Sequence, residues 1–264
     1  MLDGHTGDVI FCAWPPNRQL LVSVDYGRGA TVRMWDVMTY QQCRVLDCTG
    51  ILQRTVRLSL DGNRLAWLSG WSSSKTEYHV WDLFTEETPR TFNSHSSLTA
   101  FSIHQLSLHP SRRRLVTAHG SLMPDESDAN VARIWDAESG DVQFTLPMHS
   151  PVMEICFSPD GSLILSAHYD EVVRLWDAKR GELLATLDAS GLKVCFSPDG
   201  KYIVVAEGRR TRLWNVGETS CIGVLTEHED TVSSLAFSLD GSTLVSGDDS
   251  GTVYMRHLSD LLQH

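Results

Sequence analysis

The sequence predicts an all-β chain assembled from repeated four-stranded units, and three observations predict it. The first is residues 152–187, VMEICFSPDGSLILSAHYDEVVRLWDAKRGELLATL, where four short apolar runs alternate with turn signals. The runs are Val152–Phe157, Leu163–Ala167, Val172–Trp176 and Leu183–Leu187. Each is rich in β-branched or aromatic side chains, which suit a pleated, half-buried strand. The second is a Trp-Asp pair at Trp35-Asp36, Trp81-Asp82, Trp135-Asp136 and Trp176-Asp177, softened to Trp214-Asn215. The steps between these tryptophans are 46, 54, 41 and 38 residues. The third is an Asp-Gly turn ahead of them at Asp61-Gly62, Asp160-Gly161, Asp199-Gly200 and Asp240-Gly241. Loops as short as 158–161, 168–171 and 177–181 join antiparallel neighbours, so each unit reads as a meander.

Repeat one opens at Gly4-His5, has its first strand over Val9–Trp14 and ends its third at Trp35-Asp36. Repeat two has Asp47-Cys48-Thr49-Gly50 where a histidine would stand, and a polar loop SGWSSSK at Ser69–Lys75. Repeat three is the longest, with an extended entry at Asn93–His104 and an acidic insertion, HGSLMPDESDAN, at His119–Asn130. Repeat four is the regular unit above. Repeat five turns tightly at Glu207-Gly208-Arg209-Arg210. Repeat six keeps His228, Asp240-Gly241 and Ser246, but Arg256-His257 replaces the Trp-Asp pair.

A period near 40–45 residues with four strands per unit is the pattern of a β-propeller. With Gly4-His5, the Trp-Asp series and the Asp-Gly turns in register, the chain resembles the WD-repeat β-propeller family over essentially its whole length. The expectation is one domain over residues 1–264, in about six blades ending near 36, 82, 136, 177, 215 and 257, the last degenerate. In the family an outer strand follows each Trp-Asp pair. Only LSDLLQH follows His257 and only MLD precedes Gly4. Closure is therefore expected to be incomplete, or the chain to be a piece of a longer propeller.

Composition narrows the function. Of 264 residues, 42% are hydrophobic and 21% charged, an ordinary balance for a folded domain. The formal net charge of −11 disfavours nucleic acid and anionic membranes, which need a basic footprint, and fits a basic partner. Six cysteines include no C-x-x-C pair, which reads as reduced, structural cysteines rather than a thiolate metal site. No secretory signal or apolar run of spanning length is visible. The expected compartment is the cytoplasm by default, with the nucleus as the alternative.

The resemblance implies a structural tetrad of Asp, His, Ser or Thr, and Trp. Residue by residue, repeat four supplies His149, Ser166, Asp170 and Trp176. The logic is a buried polar chain in which no member is left without a partner. Echoes at His5, Ser23 and Trp35 and at His95, Thr117 and Trp135 argue against a Ser-His-Asp hydrolase, because a catalytic set is normally single. Among eleven histidines, the densest set is His95, His104, His109 and His119; it lacks helical spacing and carboxylate framing, so no metal is expected. No cofactor is expected either. An arginine pair marks a phosphoinositide-binding propeller family, but Arg209-Arg210 precedes Trp214 rather than following the third strand. Sialidase-type S-x-D-x-G-x-x-W boxes are absent, and WDAKR departs from the W-D-x-R box of ubiquitin-ligase receptors.

In the family, loops joining strands two and three share a face with the entry loops. The resemblance therefore places Tyr26, Trp71, Met123, Asp125, Glu126, Asp128, Arg209 and Arg210 on one partner-binding face. Trp71 reads either as a binding anchor or as a ring folded onto its own blade. The function expected is a non-catalytic scaffold for a protein or peptide partner in a larger assembly. The alternative is a phosphoinositide or membrane-surface binder; an enzymatic propeller would need a single non-repeating cluster.

Overall fold

The computed structural model describes residues 2–15, 19–27, 29–48, 50–51, 55–70, 77–85, 87–93, 102–111, 113–121 and 130–262. Among the described residues, twenty-three strands form six antiparallel sheets, five of four strands and one of three, with a single four-residue helix. Sheet one contains β1 (Asp8–Ala13), β2 (Leu20–Tyr26), β3 (Thr31–Asp36) and β4 (Gln42–Asp47). Sheet two contains β5 (Arg57–Leu58), β6 (Arg64–Ser69), β7 (Glu77–Asp82) and β8 (Arg90–Asn93). Sheet three contains β9 (Ser102–Leu108), β10 (Arg114–Ser121), β11 (Val131–Asp136) and β12 (Val142–Pro147). Sheet four contains β13 (Val152–Phe157), β14 (Leu163–His168), β15 (Val173–Asp177) and β16 (Leu183–Leu187). Sheet five contains β17 (Lys193–Phe196), β18 (Tyr202–Glu207), β19 (Arg210–Asn215) and β20 (Ser220–Leu225). Sheet six contains β21 (Val232–Phe237), β22 (Thr243–Asp248) and β23 (Val253–His257), followed by α1 (Leu258–Leu261). In every four-stranded sheet the strands pair in chain order, as short turns require.

The turns explain why the strands end where they do. At Ser158–Gly161 the Ser158 hydroxyl donates to Asp160 Oδ1 (2.6 Å), and the same oxygen of Ser158 accepts the Leu163 N–H (2.9 Å). Gly161 closes the turn at φ +74°, a left-handed conformation that a Cβ would strain. Serine and aspartate repeat this arrangement at Ser59/Asp61, Ser197/Asp199 and Ser238/Asp240. The aspartate of each Trp-Asp pair governs the turn between strands three and four. Asp36 Oδ1 accepts the Met38 and Thr39 N–H groups at 2.9 and 2.8 Å, and Asp136 and Asp177 do likewise two and three residues on. Those bonds favour the carboxylate and hold the Asp36 carboxyl below its ordinary pKa. Asn215 keeps one such bond, from the Glu218 N–H.

The chain divides into two compact units. One comprises residues 1–102, 106–115 and 135–142; the other comprises 103–105, 116–134 and 143–264. In the first, Val22, Val32 and Met34 of sheet one pack with Leu65, Trp67 and Trp81 of sheet two. In the second, Leu165, Val173 and Leu175 of sheet four pack with Val194, Ile203 and Trp214 of sheet five. Val204 and Leu213 of sheet five then meet Leu235, Phe237 and Leu244 of sheet six. Each such aliphatic side chain, fully buried, contributes roughly 1.5–3 kcal/mol of transfer free energy. Within each unit the core therefore lies in layers between successive sheets.

Candidate functional site

Repeats one, two, four and six carry a polar rung among their inner strands. In repeat one, Trp35 Nε1 donates to Ser23 Oγ (2.7 Å) and Ser23 Oγ lies 2.6 Å from His5 Nε2. His5 Nδ1 lies 3.1 Å from Asp25 Oδ2. Since the carboxylate can only accept, Nδ1 carries the imidazole hydrogen, Nε2 accepts the serine proton, and the serine oxygen accepts from the indole. Asp25 also accepts the Thr31 N–H and hydroxyl, so a buried charge is fully partnered. Repeat six has the same chain without the tryptophan. His228 Nε2 is 2.7 Å from Ser246 Oγ, and Nδ1 is 2.9 Å from Asp248 Oδ2. Tyr254 meets the imidazole edge-on at 4.7 Å.

Repeat four departs from the expected tetrad. Ser166 and Trp176 meet as expected, the indole donating at 2.9 Å. The histidine at Ser166 is His168 (2.8 Å), whereas His149 is exposed. Asp170 faces Arg174 Nη2 at 3.1 Å. His168 has the place in the strand that Asp25 and Asp248 have in repeats one and six: two residues past the serine, on the same face of the second strand. Its Nδ1 lies 3.3 Å from the Ser150 carbonyl, which only accepts, so Nε2 takes the Ser166 proton and the ring is neutral. Burial, reinforced by the Arg174 charge, lowers its pKa to about 4. Repeat two substitutes Trp67 for the serine; Trp67 stacks on His79 at 5.0 Å, and His79 Nε2 reaches Ser69 Oγ at 2.6 Å. Repetition in varied form marks these rungs as folding devices.

Among the turns and entry loops of repeats four to six, within the second unit, lies an open cleft of about 570 Å³. Its walls come from the strand two–three turn Tyr169–Glu171, the entry residues Ser190 and Leu192, the turn at Gly208 and the entry residue Thr231. These are the loop types expected to carry a partner. Backbone bonds fix them: Tyr169 N–H to Pro151 O (2.8 Å), Asp170 N–H to Ser150 Oγ (3.0 Å) and Val232 N–H to Gly208 O (2.7 Å). Glu171 takes φ +62°, a conformation unusual outside glycine, with its N–H on His168 O (3.1 Å). Tyr169 and Leu192 are 58% and 43% exposed, so two apolar surfaces stand in water on a rigid frame.

A second cleft of about 330 Å³ shares Glu171 and Ser190, and adds Asp188 and Arg212. The arginine is committed: its Nε is 3.0 Å from Glu207 Oε2, and its Nη1 donates to Asp188 O (2.9 Å). Among the described residues, Glu171 and Asp188 make no ion pair, so the joint surface mixes apolar and polar groups and carries two carboxylates without a cationic partner. In the first unit a smaller cleft gathers Arg64, Asp82, Glu87, Arg90, Arg113 and Glu138. There Arg90 pairs with Glu87 and Glu138, and Arg113 with Glu138, which spends much of its charge internally. Among the described residues, no three His, Cys, Asp or Glu side chains gather to hold a metal ion.

Of the residues expected on the binding face, Arg209 and Arg210 are exposed next in the chain to Gly208, which lines the cleft, but do not line it themselves. Tyr26 is half-buried at the end of β2 in the other unit. Trp71, Met123, Asp125, Glu126 and Asp128 lie outside the described residues. Tyr169, Glu171 and Leu192 were not singled out by sequence. The signal for Tyr169 was present: it stands three residues past Ser166, as Tyr26 stands three past Ser23.

A family model described as "WD domain, G-beta repeat" matches residues 1–36, 140–177, 181–215 and 219–256. The target of rapamycin complex subunit wat1 of Schizosaccharomyces pombe is 31% identical over 246 residues, which is 92% of this chain. The chain spans 60% of that relative's length.

Proposed function

The chain belongs to the WD-repeat family, and from that premise we propose that it is a non-catalytic scaffold subunit that holds a protein partner within a multiprotein complex. The relative is named as a subunit of the target of rapamycin complex, which makes an assembly of that type the first to test. The observation that carries the reading is the cleft over repeats four to six. It presents Tyr169 and Leu192 on hydrogen-bonded turns, with Glu171 and Asp188 at its rim. A partner segment with an apolar side chain flanked by Lys or Arg fits it. The apolar anchor would set residence time, and the carboxylates would set association rate and its salt dependence. The polar rungs need no reaction to explain them, since each recurs with variation from repeat to repeat.

The test is purification of the tagged chain from its own cells, beside Tyr169→Ala and Glu171→Lys variants. The expected result is a partner recovered in stoichiometric amount with the wild type and depleted with both variants. Recovery of the same partner with all three proteins would place the binding surface elsewhere. Anionic vesicles, added in sedimentation, should leave the chain in the supernatant; co-sedimentation would favour the membrane-surface reading.

A further inference from the structure

Four hydroxyl side chains in the sequence stand directly before a proline: Thr88, Ser150, Ser158 and Ser197. The three serines are 7%, 2% and 1% exposed, and their oxygens are bonded within the fold, to the Asp170 N–H, to Asp160 and to Asp199. Thr88 is exposed, lies outside the strands and makes no side-chain hydrogen bond among the described residues. Pro89 biases the residue before it towards extended backbone, the conformation in which a protein kinase takes its substrate. Repeat two's own departure from the pattern fixes the segment in place. Trp67 stands where a serine stands elsewhere, and the Trp81 indole donates instead to Glu87 O (3.1 Å). Arg44 lies over the Trp81 ring at 4.6 Å and donates to Leu83 O (3.2 Å).

Thr88 lines the smaller cleft of the first unit, about 220 Å³, together with Arg64, Arg90 and Arg113. Arg64 and Arg90 begin β6 and β8 of sheet two, and Arg113 directly precedes β10 of sheet three. Both sheet-two arginines already reach carbonyls in the turns of sheet three: Arg64 Nη2 donates to His109 O and Arg90 Nη1 to Glu138 O, each at 3.2 Å. Glu138 is shared between Arg90 and Arg113, and Glu87 faces Arg90 at 3.7 Å. Glu87 and Glu138 are 69% and 55% exposed, so these are surface pairs of small worth, and either carboxylate can rotate into water. We propose that Thr88 is a phosphorylation site whose phosphate the arginine cleft takes up, tying sheet two to sheet three. A proline-directed kinase would transfer the γ-phosphoryl group of a nucleoside triphosphate to Thr88 Oγ. The new O–P bond forms as the bond to the β-phosphate oxygen breaks, releasing the diphosphate, and the hydroxyl proton passes to the kinase's base. The product carries about two negative charges and three acceptor oxygens, against a single charge on each carboxylate it displaces, and guanidinium groups bind such oxygens in pairs. The site is built wholly from residues of the first unit and does not rest on the scaffold reading.

The test uses the full chain, ATP, magnesium and a proline-directed protein kinase, with phosphothreonine installed at position 88 during synthesis as a second source of the modified protein. Intact mass should show one phosphoryl group on the wild type that Thr88→Ala does not take up. Phosphorus NMR then follows the second ionisation of the phosphate, ordinarily about 6. In the folded chain its midpoint should lie about 0.5 pH unit or more below that of the same protein in urea, because neighbouring guanidinium groups favour the dianion. The Arg90→Gln/Arg113→Gln protein, changed at two partly exposed side chains, should return to the value in urea; the unfolding midpoint of its unmodified form checks that it folds. Phosphorylation should also raise the thermal midpoint of the wild type and not that of this variant. Modification of a peptide of residues 83–93 but not of the folded chain would overturn the site. A phosphate midpoint equal in the folded and unfolded chain, or unmoved by the two glutamines, would overturn its uptake by the cleft.

Discussion

Val205 occupies in sheet five the place that Ser23, Ser166 and Ser246 occupy in sheets one, four and six, and the indole Nε1 of Trp214 is buried there without a hydrogen-bond partner. The strand keeps the tryptophan for its bulk while losing the hydroxyl that accepts from it elsewhere. An unpaired buried N–H costs about 1–3 kcal/mol.

That asymmetry predicts the ranking of two substitutions. Trp214→Phe removes an N–H that bonds nothing, whereas Trp176→Phe removes one that bonds Ser166. Trp176→Phe should destabilise more, by about 1 kcal/mol. Urea midpoints measured on both variants check this; equal losses would mean the Trp176 bond contributes nothing net.

His168→Ala should destabilise by about 1–3 kcal/mol, because Ser166 loses its acceptor and a cavity opens beside it. His149→Ala, at an exposed position, should stay within about 0.5 kcal/mol of wild type. Reversal of this order in chemical denaturation would return the tetrad role to His149.

Stability should fall with acid in a defined window. His168 is neutral in the fold with a pKa lowered to about 4, while the unfolded chain titrates near the ordinary 6.5. Between those values the unfolded state binds the extra proton, so stability present above pH 6.5 is lost as pH falls towards 4, by about 3 kcal/mol. Thermal midpoints across that range should drop for wild type. In His168→Ala the drop should be shallower; an unchanged slope would show that another group titrates.

Tyr169→Ala should weaken a purified partner by about 2 kcal/mol, the scale of an aromatic hot spot, without changing the unfolding midpoint by more than about 0.5 kcal/mol. Glu171→Gln should slow association mainly at low salt. Calorimetry and stopped-flow kinetics separate the two effects. Full affinity in both variants would exclude the cleft.

Hydrogen exchange should open residues 244–258 well before 163–176, because among the described residues β23 is paired on one side only whereas β14 and β15 lie inside a four-stranded sheet. Equal protection in both segments would contradict this.

Most strands were legible because their signals are local. Val152–Phe157 and Leu183–Leu187 stand in the structure as the sequence outlines them, between turns whose serine, aspartate and glycine act within six residues. The rung of repeat four was only half legible. Ser166 and Trp176 were found, but the histidine was sought in the entry loop, nineteen residues from His168. The alternation of a strand contained the answer, since residues two apart share a face and Asp25, His168 and Asp248 each follow their serine by two. The cleft was less legible still. Tyr169, Leu192, Gly208 and Thr231 come from four loops spread over more than sixty residues, and no spacing rule joins them.

The serine–aspartate turns also bear on how the chain comes to be folded. Each first hairpin of repeats two, four, five and six closes its side-chain bonds within a handful of residues, so little loop entropy is lost before a stabilising contact forms. Nucleation therefore has at least four starting points along the chain, and packing between successive sheets can spread from whichever forms first. During synthesis, a hairpin finished early can wait for its neighbour without needing any residue not yet made.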